Sequence, residues 1–264
     1  MAKFNYYDKI ASIYDQTRWM TTAVAEDVAT VILNLVQATP TTSFLEPGIG
    51  TGLNVLPLVQ RGYSVTGIDI SSQMLDQFRQ KLTGSPANLT LIHADSSQLP
   101  LADQSFDVVL TVHMVHTVAD WKVFLDEIDR VLKPNGFYLN AQWITPPARK
   151  KFEEQFKAIA SKYEQPKPSN QKDTSVKKID VEAYCREKGY QSTYLVAREW
   201  MVTDTVDELI KCFKLKPYGL CWRMSDDTFN LVMSELEEFC HTHYGSLQSE
   251  LSSEAKFEVW AYSR

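Results

Sequence analysis

Apolar positions along this chain recur at two different periods, and the two periods alternate. In "TTAVAEDVATVILNLV", Val24, Val28, Val31, Ile32 and Leu35 keep the spacing of one helix face. "TSFLEP" then reads as a short strand cut by Pro47. "TGLNVLPLVQR" predicts a helix in spite of Pro57, "YSVTGIDI" a strand, and "SSQMLDQFRQKL" a helix opened by serine caps. "NLTLIHAD" alternates and stops at Asp95. "SFDVVLTVHMV" is almost continuously apolar, as a strand buried on both faces should be. "DWKVFLDEIDRVL" returns to helical spacing, "KPNG" supplies breakers, and "FYLNAQWI" predicts a fifth strand.

Strictly alternating strands and helices imply a parallel sheet with right-handed crossovers and helices on both faces. The expected fold is therefore α/β, Rossmann-like and doubly wound. Ligands on such sheets bind beyond the carboxyl ends of the strands. "EPGIGTG", Asp69, Asp95 and "TVHMVH" all fall at predicted strand ends on that rim. The pattern loosens after residue 145. Residues 146–180 read as a helix followed by a Pro/Lys/Ser-rich stretch, expected to be a mobile lid over a core of residues 1–145. In 181–264 two more strands, "STYLVAREWMV" and "KFEVWAYSR", flank a helical, substrate-covering insert at about 203–254. That insert starts with a Thr205…Glu208 capping box and contains a longer helix from a Ser225 cap to Gly245.

Composition narrows the partners. With 44% hydrophobic and 23% charged residues the chain is an ordinary folded one, and its formal charge of −6 argues against nucleic acid or an anionic membrane. The start lacks a secretory apolar core, and no run is long enough to span a bilayer, so the expected location is cytoplasmic. The scattered Cys185, Cys212, Cys221 and Cys240 form no C-x-x-C and are expected to be reduced thiols, with no metal site.

The glycines of "EPGIGTG" decide the cofactor. No lysine follows them, which removes a Walker loop. A dinucleotide fingerprint would want a small residue where Leu53 stands, and would seat two phosphates beside Glu46. S-adenosylmethionine has no phosphate, and its amino-acid end carries an ammonium. Glu46 suits that ammonium, while Gly48, Gly50 and Gly52 let backbone approach the ligand without Cβ atoms, and loop amides suit the ligand's carboxylate. Asp69 at the end of the second strand can bind both ribose hydroxyls. Ile70 and Met74 are candidates to cover adenine, and Asp95 and Ser96 to meet its polar edge.

These stretches, with "LDEIDRVLKPNG" and "YDKIASIYDQTR", resemble class I S-adenosylmethionine-dependent methyltransferases, and within them the ubiquinone/menaquinone C-methyltransferase-like group. Pro47 before the first glycine departs from the common pattern and implies a stiffer turn. The resemblance implies a mostly parallel seven-stranded sheet with an antiparallel last strand. It also implies that Tyr14 and Arg18 approach the cofactor's amino-acid end, and that Val112 meets its methionine part.

Methyl transfer from a sulfonium needs in-line alignment, dryness and, for many acceptors, loss of a proton. His116 and, second, His113 follow the fourth strand and are the candidate bases, with alternation expected to turn only one inward. Tyr6, Tyr7, Trp143 and Trp222 are candidate pocket aromatics, and His241 and His243 are expected at an exposed helix end. The acceptor is read as a small or medium-sized organic molecule, its reacting atom and the oligomeric state being undetermined. The competing readings are a nicotinamide-dependent oxidoreductase, a methyltransferase acting on tRNA or protein, and a non-catalytic cofactor-binding protein.

Overall fold

A computed structural model describes residues 4–163 and 179–264. The elements follow in the order α1 (Phe4–Ile10), α2 (Thr22–Leu35), β1 (Ser43–Pro47), α3 (Leu56–Gln60), β2 (Ser64–Asp69), α4 (Ser72–Gln80), β3 (Leu89–His93) and β4 (Phe106–Val112). Then come α5 (Trp121–Val131), β5 (Leu132–Ile144), α6 (Pro147–Ala160), α7 (Val181–Glu187), β6 (Gln191–Thr205), α8 (Val206–Lys214), α9 (Asp226–Tyr244) and β7 (Glu250–Ser263).

The seven strands form one sheet in the order β3-β2-β1-β4-β5-β7-β6. β1 to β5 pair in parallel, with Phe44 opposite Val65 on one side and Val108 on the other. β7 is antiparallel to its neighbours. The Gln142–Glu258 bond ties it to β5, and Thr203–Ser252 and Tyr194–Glu258 tie it to β6, with numbers rising on one strand as they fall on the other. The order reverses between β1 and β4, which places the switch point at the glycine loop after β1.

Local chemistry sets most boundaries. Thr21, Ser71, Asp120 and Ser225 accept backbone N–H groups at the starts of α2, α4, α5 and α9. Thr205 and Glu208 form the capping box of α8, and Gly245 follows α9 with φ +72°. Two boundaries differ from expectation. α3 begins only at Leu56, because Pro57 lies in its first turn, where the missing N–H leaves no bond unmade. "KPNG" does not separate helix from strand: β5 starts at Leu132, passes through Asn135 with φ +64°, and shifts register against β4 between Phe106 and Val108.

The chain divides into two compact units. The first comprises 1–144, 179–198 and 257–264, and its core includes Leu45, Ile68, Val109, Phe124, Ile128 and Tyr138. The described residues of the second are 145–163 and 199–256, and it packs Phe152, Phe156, Phe213, Phe229, Val232 and Leu236. In the segment read as a lid, Pro147–Ala160 are thus helix α6 with Phe152, Phe156 and Ile159 inside that second core, while 164–178 lie outside the described residues. Among the described residues no helix is long and apolar enough to cross a membrane.

Candidate active site

The rim of the first unit is built from the ends of β1, β2 and β4. Gly48, Gly50 and Gly52 all have positive φ, but they serve different purposes. A Cβ on Gly48 would stand 2.4 Å from the sulfur of Met114, and one on Gly52 2.4 Å from the Phe78 ring. These two glycines let the loop pack. A Cβ on Gly50 would meet nothing within 4 Å, so this is where bare backbone faces open space.

Four of the loop amides bond to the protein itself. Gly48 and Ile49 donate to the Ile68 carbonyl, Gly52 to that of Ile49, and Gly50 to Asp69 Oδ2 at 2.8 Å. These four amides therefore hold the turn in shape. Asp69 also accepts from Ser71 N at 2.9 Å, so one carboxylate ties the β1–α3 turn to the β2–α4 turn. Burial pushes its pKa up, against the pull of those backbone donors.

The N-terminal segment closes over the same turns. Asp8 accepts from Ser71 Oγ at 2.6 Å, and Asp15 from Thr51 Oγ1 at 2.5 Å while pairing with Lys81, whose Nζ also caps the Thr51 carbonyl. Arg18 lies 4.0 Å over the Tyr14 ring and donates to Thr17 Oγ1. The Tyr7 hydroxyl is pushed up by burial and by Tyr14, against Arg18. Only the backbone of Tyr6 is described.

Glu46 is 1% exposed. Its Oε1 accepts from Asn54 Nδ2 at 2.9 Å, and its Oε2 has no hydrogen-bond partner among the described residues. Burial drives its pKa up to about 8, with Asp69 adding to the rise and the Asn54 bond opposing it. Asn54 Oδ1 accepts the Trp143 indole N–H at 3.1 Å, and the Trp143 backbone N–H donates to His113 Nε2 at 2.9 Å. A buried polar chain thus runs Glu46–Asn54–Trp143–His113.

His113 takes a left-handed φ of +53°, uncommon for a residue with a Cβ, which turns the chain sharply after β4. Burial, with His116 and Arg18 nearby, lowers its pKa to about 4. With Nε2 accepting from Trp143, the proton of the neutral ring sits on Nδ1 and no lone pair remains for a substrate. His116 is exposed, 6.3 Å from His113 between ring centroids. Both line one cavity of about 310 Å³ with Asn140, Gln142, Glu182 and Trp260, so the turn brings together two histidines that strand alternation alone would separate.

Of the other predicted residues, Val112 ends β4 opposite Ala141, and Ile70 follows β2 with its carbonyl held by His93 Nε2 at 2.8 Å. Met74 is 2% exposed on the buried face of α4. Asp95 is exposed and accepts from Ser97 N, and Ser96 is buried. Trp222 belongs to the second unit, where its indole donates to the Lys216 carbonyl. His241 and His243 are exposed at the end of α9. The cysteines form no disulfide, and no group of three or more His, Cys, Asp or Glu among the described residues could hold a metal ion. Sequence reasoning missed Asn54, Asp8 and Asp15. The signal for Asn54 was one polar residue within the apolar stretch "LNVLPLV".

Residues 45–140 match a family described as a methyltransferase domain. The chain is 31% identical over 159 residues to a demethylmenaquinone methyltransferase of Clavibacter sepedonicus, covering 58% of this chain and 64% of that protein. It is 46% identical over 72 residues to the enzyme of the same name from Staphylococcus aureus strain Newman, covering 27% and 30%. The chain thus spans less than two thirds of these relatives. Among solved structures, Haemonchus contortus phosphoethanolamine N-methyltransferase 2 in complex with S-adenosyl-L-methionine aligns over 99% of this chain and 58% of that one, with TM-score 0.55 and 14% identity. That likeness is one of fold.

Proposed function

We propose that this chain, whose residues 45–140 match a methyltransferase domain, is a class I S-adenosylmethionine-dependent methyltransferase that methylates a small or medium-sized organic acceptor. The observation that carries the reading is the buried Glu46 carboxyl, at the end of β1 just before the glycine turn, with one oxygen unpartnered among the described residues. An ammonium satisfies that oxygen, whereas a pyrophosphate would meet a group that can only repel it once ionised. This disfavours the nicotinamide reading.

When bound, the cofactor supplies an electrophilic methyl group on a sulfonium. Glu46 receives its amino end, and Asp69, already oriented by Gly50 and Ser71, keeps lone pairs for the ribose hydroxyls. Val112, Tyr14 and Arg18 border the amino-acid end. Asp95 and Ser96 stand at the end of β3 for the adenine edge, with Ile70 beside them. His113 shapes the cavity wall, and His116 takes the acceptor's proton where the acceptor has one to lose. The relatives' names make a quinone-like ring the first acceptor to try. A cytoplasmic location belongs to the same proposal.

The test is a mass-spectrometric screen of organic acceptors, demethylated quinones included, with methyl-labelled cofactor. Transfer of label to one of them is expected. Labelling of tRNA or protein alone would overturn the small-acceptor reading.

A further inference from the structure

We propose that Asn54 is a positioning residue of the cofactor cradle, holding one Glu46 oxygen and the Trp143 indole so that the second Glu46 oxygen is kept for the cofactor's ammonium. The inference rests on the reading above that Glu46 receives this ammonium.

The geometry leaves Asn54 little freedom. Its two side-chain atoms have opposite roles and both are engaged: Nδ2 donates to Glu46 Oε1 at 2.9 Å, and Oδ1 accepts from Trp143 Nε1 at 3.1 Å. An indole N–H can only donate, so Trp143 dictates which way the amide points, and the amide then dictates which carboxyl oxygen is engaged. Trp143 is fixed in turn by edge-on packing against Trp19 and His113 and by its backbone bond to His113. The residues are 8% exposed for Asn54, 5% for Trp143 and 1% for Glu46, so water does not substitute for these bonds.

The ionisable groups at this corner are Asp69 from β2, His113 after β4, and Tyr7, Tyr14 and Arg18 from the N-terminal segment. Asp69 is the one that bears on Glu46, and it favours the neutral carboxyl. Ligand-free Glu46 with a pKa of about 8 therefore holds its proton at neutral pH. Capture of an ammonium by Glu46 forms a carboxylate–ammonium pair and sends the carboxyl proton to solvent. Proton release is thus a readout of the cradle that does not depend on turnover.

The experiment is calorimetric titration of the full chain with S-adenosylhomocysteine at pH 6.5 in buffers of different ionisation enthalpy. The wild type should release close to one proton on binding, since a carboxyl of pKa about 8 is almost fully protonated there. Glu46→Gln should bind more weakly and release none. Asn54→Leu should lose about tenfold or more in affinity. Trp143→Phe, a milder change should Asn54→Leu fail to fold, should lose less affinity while keeping its thermal midpoint near wild type. Wild-type binding with no proton released, or an Asn54→Leu protein that binds like wild type, overturns this inference and leaves the cofactor reading standing. A wild type that does not bind S-adenosylhomocysteine overturns the cofactor reading itself.

Discussion

In the first unit Thr17, Glu46, Thr51, Asn54, Asp69, Ser71, Ser96 and Thr111 are all buried; five of them sit in turns after strands or in the segment that closes over them, and Asp69 is the last residue of β2. The second unit buries one charged residue among those described, Asp204, and satisfies it with a two-pronged bond from Arg149 at 2.7 and 2.5 Å. Its remaining interior is aromatic and aliphatic. A buried polar group that is fully paired fixes geometry, whereas one left with an open oxygen is a receptor waiting for a partner. Glu46 is of the second kind and Asp204 of the first. The contrast separates a region organised to bind from one organised to pack.

The sharpest break between the regions comes from truncating the second core. Phe156→Ala should destabilise by about 3–5 kcal/mol, measured by denaturant unfolding, because Phe156 is fully buried against Phe213 and Phe229. Arg149→Met should follow, at about 3–5 kcal/mol, since it strands a buried carboxylate; adding Asp204→Leu should recover most of the loss. Recovery would mark this pair as structural, and failure to recover would mean the pair does more than pack.

In the first unit the losses should fall on binding. Asp69→Ala should weaken S-adenosylhomocysteine binding by about 1–3 kcal/mol. Gly50→Ala should cost about 1–2 kcal/mol of stability from its left-handed φ, and should weaken ligand binding besides, because the new methyl enters the open space. Equal affinity for Gly50→Ala and wild type would remove that space from the site.

Stability against pH sharpens the same contrast. The Glu46 carboxyl is raised in the folded state, so its contribution is fully present below the ordinary carboxyl range and is lost as pH rises through about 8. Ligand-free protein should lose thermal stability along that window, and Glu46→Gln should flatten the slope. The smallest effect is expected at the exposed Lys256–Glu199 pair, where Lys256→Gln should leave the thermal midpoint unchanged.

Much of this architecture was legible because the periods were clean. The five parallel strands and the helix N-caps follow from local patterns of apolar residues, Ser, Thr and Asp. The missed boundaries have local causes of another kind: Pro57 lies in the first turn of α3 and not in its later part, and Asn135 bends β5 where "KPNG" predicts a gap. The site was legible as a set of strand-end acids and glycines but not as a network. Asn54 and Trp143 are 89 positions apart, and the bond between them depends on the crossover through β4, which periodicity does not reveal. The pairing of both histidines on one cavity depends likewise on the positive φ of His113.

The account stands most directly on equilibrium dialysis of labelled S-adenosylmethionine against the purified chain, with NADH as competitor. It predicts saturable binding at one site per chain, undisturbed by NADH. Retention of NADH with no retention of the sulfonium would contradict it.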